Sequence, residues 1–155
     1  MYRVFISHSV GPYELGLLYG LIGQSQAQQL QVFIPDRRWN SGAPVPPAVE
    51  SAIRSSDCVL VLATRYGANT AHVNAELALS TGKPVIVVAD AEMMLSANER
   101  IHQNRITIDR NSLSNTIDSA VQGIRGLALQ ASQQETLTWL LVGGLLWLMF
   151  TGDNK

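Results

Sequence analysis

The sequence holds little that can be oxidised and little charge. Cys58 is the only cysteine, so no intrachain disulfide can form, and a reducing, cytosolic setting is the simpler expectation. It sits in the apolar run Cys58–Ala63 without a cationic neighbour, which reads as structural core and not as a nucleophile. No Cys/His cluster has metal-ligand spacing, so no metal is expected. Charged residues make up 15% of the 155-residue chain, against roughly 25% in an average soluble domain. With a formal net charge of −1, nothing argues for a nucleic-acid surface; a local site for a phosphate-bearing small molecule needs no such surface. No G-x-G-x-x-G follows the first strand-like run, which argues against a Rossmann dehydrogenase. The chain enters that run directly after Met1, and no secretory leader is expected.

What is present is a regular alternation. The length suits one domain with a normal core. Residues 2–7 (YRVFIS), 31–35 (QVFIP), 57–64 (DCVLVLAT) and 83–89 (KPVIVVA) read as strands, with a weak fifth at 105–108. Between them, residues 13–29 carry Leu17, Leu18, Leu21 and Ile22 at helical spacing. Pro47–Ser55 has proline in its first turn, and a helix over 70–80 ends before Gly82, a suitable capping glycine. A last amphipathic helix is expected over 113–129, with Ile117, Val121 and Ile124 on one stripe. Strands apolar on both faces, alternating with helices, predict a doubly wound, flavodoxin-like α/β fold with a mostly parallel five-stranded sheet. Such sheets seat ligands at the carboxyl ends of their strands. Those ends are Ser7-His8-Ser9, the loop from Pro35 to Asn40, the segment from Thr64 to Asn69, and Asp90.

Glu76 lies on the 70–80 helix with His72 four residues before it and Ser80 four after, on one face. One reading is a surface glutamate paired with a helix neighbour. The other is a carboxylate in a sheet-edge cleft, which hydrogen-bonds ribose hydroxyls or stabilises a cationic sugar-like transition state.

Three pieces of the chain share order and spacing with one family. Val4-Phe5-Ile6-Ser7-His8-Ser9 resembles the first strand and turn of TIR domains. Residues 46–53, followed by Ser55-Ser56-Asp57-Cys58-Val59-Leu60-Val61-Leu62, resemble the family's "P…I..AI..SD.vlvl" stretch. Val73-Asn74-Ala75-Glu76 followed by Gly82-Lys83-Pro84-Val85-Ile86 resembles "V..E…GKPVI". The similarity covers roughly residues 1–125 and is nearest to prokaryotic TIR proteins of antiviral defence, such as the Thoeris type. It implies an enzyme that consumes NAD as substrate, with no cofactor, cleaving the nicotinamide–ribose bond to ADP-ribose or to a cyclic or conjugated ADP-ribose signal. Glu76 matches the catalytic glutamate. Many TIR enzymes carry tryptophan where this chain has His72, which then stacks, hydrogen-bonds or merely pairs.

The resemblance also implies roles for two loops. His8 and Ser9 hold ribose or phosphate, or else cap a turn. Arg37, Arg38, Trp39 and Asn40 fall in the "BB loop". There an arginine fork suits pyrophosphate, and a tryptophan face suits a base or anchors an interface; the alternative is a solvated loop around one packed tryptophan. Arg65, Tyr66 and Asn69 border the pocket and are more structural in character. Implied partners are NAD, further copies of the chain through TIR–TIR contacts, and an effector sensing the product. Two rival functions stay open: a non-catalytic TIR interaction module at a membrane, and an enzyme resembling nucleoside deoxyribosyltransferases, which share a similar sheet and also use a glutamate.

Residues 136–152 carry no charge, and Trp139 and Trp147 lie near the two ends. A helix there is roughly 25 Å long, short of a ~30 Å hydrocarbon core. It is expected either to anchor a cytoplasmic domain in a membrane or to bury itself against sister chains, with Gly143-Gly144 permitting close approach. A polar hinge at 130–135 would separate it from the domain at 1–129.

Overall fold

Cys58–Ala63 forms β3, and every one of its residues is buried. A strand hidden on both faces belongs in the middle of a sheet covered by helices. In the computed structural model, which describes residues 1–67, 70–95 and 104–151 (139–151 by backbone alone), β3 is the central strand. β1 (Arg3–Ser9) lies on one side of it, with β2 (Gln31–Phe33) outside β1. β4 (Val85–Ala89) and β5 (Arg105–Thr107) lie on the other. The order β2-β1-β3-β4-β5 is parallel throughout. This is the flavodoxin-like doubly wound arrangement, whose winding reverses between β1 and β3.

Strand alternation divides the core in two. Phe5, Val59, Val61, Val85 and Val87 face α2 (Pro47–Ser55) and α3 (Ala71–Leu79), and pack with Val49, Ile53, Val73 and Leu77. Val4, Ile6, Leu60, Leu62 and Val88 face the other way. That side is covered by α1 (Leu15–Ala27), through Leu17, Leu18 and Leu21, and by the start of α4 (Leu113–Thr151), through Ala120, Val121 and Ile124. The expected elements are all present, with ends moved by a residue or two except at α4. A 3-10 turn, Pro12–Glu14, precedes α1. Gly82 takes φ +83° just beyond α3, the left-handed conformation its capping role requires.

The turns after β1 and β3 meet at the point where the winding reverses. A Cβ on Gly67 would stand 2.4 Å from the Ser9 carbonyl oxygen, and one on Gly11 would stand 2.8 Å from the Tyr66 Cβ. The Gly67 clash is with backbone, which cannot swing aside. Gly67→Ala is therefore expected to destabilise the fold by about 1–3 kcal/mol, read as a lowered thermal midpoint.

The chain divides into two units, Met1–Ile124 and Arg125–Lys155. The stretch 130–135, expected as a polar hinge, is helical, and it contains neither proline nor glycine to break α4. Among the described residues no helix is long and apolar enough to cross a membrane. The expected anchor at 136–152 thus finds no support there: the described part of α4 beyond Ile124 carries Arg125, Gln130, Gln133, Gln134 and Glu135, and the side chains from Trp139 on lie outside the described residues.

Candidate active site

Ser7 shares the α3-facing side of β1 with Phe5, two residues along the strand. Glu76 lies one turn along α3 from Val73 and next to Leu77, both buried, so the carboxylate is carried inward with the apolar stripe and is 0% exposed. The surface-glutamate reading is thereby overturned. A buried carboxylate requires partners, and among the described residues Glu76 has Ser7 and Arg37. The Ser7 hydroxyl donates to Oε2. Arg37, from the loop after β2, donates through one guanidinium nitrogen to Oε1 and through the other to Oε2 at 3.0 Å. The second nitrogen also donates to the His8 carbonyl oxygen at 2.9 Å. Arg37 thus presents its fork to the carboxylate, the geometry in which charge-assisted hydrogen bonds are strongest.

The same loop is held to α3 a second time. The Trp39 and His72 rings meet edge to face, 4.5 Å between centroids at 86°. His72 Nε2 lies 2.8 Å from the Trp39 carbonyl oxygen; since a carbonyl only accepts, Nε2 carries the proton. The Trp39 indole N–H is buried and has no partner among the described residues.

The remaining candidates are placed differently. It is the His8 carbonyl that accepts from Arg37, and no hydrogen bond of the His8 ring is found among the described residues. Burial, reinforced by Arg37 and His72, pushes the His8 imidazole down to about 4, so it is neutral at pH 7. Its folded pKa lies below the unfolded value, so its contribution to stability is present above the ordinary 6.5 and is lost as pH falls toward 4. An NMR titration is expected to place the His8 midpoint near 4, and to move it upward in Arg37→Ala. Ser9 is buried against Gly67. Asn40 is exposed, and its Oδ1 accepts from the Gly42 amide at 2.9 Å, a local turn. Arg38 pairs with Asp36 in solvent, a contact worth little. Asn69 lies outside the described residues.

Ser7 is the site member that sequence reasoning passed over; its spacing of two from Phe5 was the available signal. Also unanticipated is an ion cluster where β3, β4 and α4 meet. Arg110 bridges Asp90 and Glu14, and Glu14 also accepts from the Thr64 hydroxyl and from the Gly11 amide at 3.1 Å. Arg65, a pocket candidate, turns outward, its guanidinium 4.9 Å from the exposed Tyr66 ring. Burial pushes the Cys58 thiol up to about 12, which keeps it protonated and inert at neutral pH.

Fold and site define a doubly wound α/β domain with a buried serine–arginine–glutamate cluster at the carboxyl edge of its sheet. The chain matches no protein-family model and no curated protein. Among solved structures it is similar to a diflavin flavoprotein A3 from Nostoc sp., at 14% identity and a TM-score of 0.49, covering 84% of this chain and 96% of that one.

Proposed function

We propose that this chain is a TIR-type enzyme that cleaves NAD at the nicotinamide–ribose bond, with Glu76 as the catalytic carboxylate. The observation that carries the reading is a fully buried carboxylate at the carboxyl edge of the sheet, where such folds seat ligands, holding a planar cation. Such a group is suited to a ribosyl centre that becomes positive as the bond breaks. In the reaction the C1′–N1 bond breaks with both electrons going to the pyridinium nitrogen, and neutral nicotinamide leaves. Glu76 stabilises the oxocarbenium-like ribose. An acceptor oxygen or nitrogen then donates a lone pair to C1′; a water acceptor passes a proton to Glu76 or to solvent, whereas an adenine ring nitrogen carries no proton and any proton lost comes from the exocyclic amine. Water gives ADP-ribose; the adenine of the same molecule gives a cyclic product. Trp39 offers a ring beside the site, and assembly through its loop would bring a second copy next to it.

The rival is a non-catalytic module in which Glu76 only staples the loop to the sheet. The hydrogen bonds that tie Glu76 to the loop through Arg37 and to the sheet through Ser7 favour that reading. Incubating the full-length chain with NAD, dilute and concentrated, and following nicotinamide by mass spectrometry separates the two. Release that requires Glu76 supports the enzyme. Intact NAD at every concentration favours the staple and makes deoxyribonucleoside exchange the next assay.

A further inference from the structure

The Arg37 fork covers both oxygens of Glu76, and Ser7 takes a further lone pair. Glu76 is 0% exposed with the partly exposed Arg37 against it, so a ribose diol cannot reach the carboxylate while Arg37 is in place. Glu76 is wholly buried, so Arg37 cannot leave unless another cation or hydrogen-bond donor replaces it. The Arg37 side chain is 21% exposed, and its loop is held, among the described residues, by the Arg37 bonds, by the His72–Trp39 contact and by Val45 against the core.

Resting on the reading of Glu76 as the NAD-cleaving carboxylate, we infer that Arg37 has two alternating partners: Glu76 in the empty site and a substrate phosphate in the loaded one. The charges balance in both states. In the empty site a guanidinium neutralises the carboxylate. In the loaded site the nicotinamide pyridinium and the ribose hydroxyls take over at Glu76. The freed guanidinium is then an unpaired fork beside a dianionic pyrophosphate, the ligand its geometry fits as well as carboxylate. Arg37 thus opposes binding at one end of the substrate and favours it at the other. The phosphate contact offsets the cost of breaking the ion pair, so phosphate-bearing nucleotides are selected over free nucleosides.

The test compares NAD with nicotinamide riboside, which has the same scissile bond and no pyrophosphate, in wild type and Arg37→Ala. For NAD, kcat/KM is expected to fall by about 10- to 100-fold, the loss of a charge-assisted contact. For the riboside it is expected to rise several-fold, or to become measurable where wild type shows none. Opposite signs support the exchange. Losses of equal size overturn it and make Arg37 a positioning residue for Glu76; gains for both overturn it in favour of a simple plug, and riboside left uncleaved by the variant overturns it as well. If wild type cleaves neither substrate, the reading of Glu76 fails and the inference with it. Should Arg37→Ala unfold, Arg37→Gln, which keeps a donor for Glu76 but no charge, carries the same comparison.

Discussion

Glu76→Gln is expected to reduce nicotinamide release from NAD by at least about 100- to 1000-fold, the usual effect of removing one preorganised electrostatic group. Glutamine keeps the size and an acceptor oxygen but not the negative charge that a ribosyl cation needs. The substitution also leaves Arg37 facing a neutral amide. With its side chain 21% exposed, Arg37 recovers part of its hydration, so the stability loss is modest, about 1–3 kcal/mol. The two effects separate in a single preparation: the thermal midpoint reports the structural change, and turnover measured well below that midpoint reports the chemistry. A variant that is folded and fully active would remove Glu76 from the mechanism.

Asp90→Ala is expected to lower stability far more than activity. The Asp90 side chain is 4% exposed; it accepts from Arg110 twice and from the Arg65 amide at 2.8 Å. Its removal strands Arg110 against Glu14 alone. Arg110 is 31% exposed, so a loss of about 3 kcal/mol, the low end for a broken buried pair, is expected. For a chain of this size that is roughly 6–12 °C in thermal midpoint. Burial opposes ionisation of Asp90 and Glu14. The bonds from Arg110, with those from the Arg65 amide to Asp90 and from Thr64 and Gly11 to Glu14, outweigh it and hold both carboxyls below their ordinary values. A carboxyl with a depressed folded pKa contributes stability above its unfolded pKa and loses it as pH falls through the folded one. Thermal midpoints measured from pH 7 down to pH 3 should therefore drop on the acid side in wild type. In Asp90→Asn they should start lower and drop less; an unchanged acid slope would show that the cluster contributes nothing.

The outer layers of the fold were legible because each rests on a local rule. The runs 57–64 and 83–89 are apolar on both faces and became β3 and β4 at the centre of a parallel sheet. Proline at the start of Pro47–Ser55 marked α2, and Gly82 marked the end of α3. The helical state of the polar stretch 130–135 has a matching reason. Polarity alone does not break a helix: glutamine, alanine and serine are tolerated inside it, whereas proline and glycine are not. Glu76 and Arg37 were both legible as candidates, yet their pairing was not. They are 39 residues apart in sequence, and no periodicity connects a loop to a helix across a sheet.

The amino-acid order by itself determined the α/β class, the parallel sheet and the edge where polar residues gather, because strand and helix periods are short-range properties of the chain. Only the tertiary structure decided which polar residues meet. It buried Glu76 with the Val73–Leu77 stripe and aimed Ser7 at it through the alternation of β1. It also set Arg37 on the carboxylate and joined Glu14, Asp90 and Arg110 across 96 residues of chain. A buried charge must find its counter-charge wherever the fold brings one, and that distance is measured in space and not along the sequence.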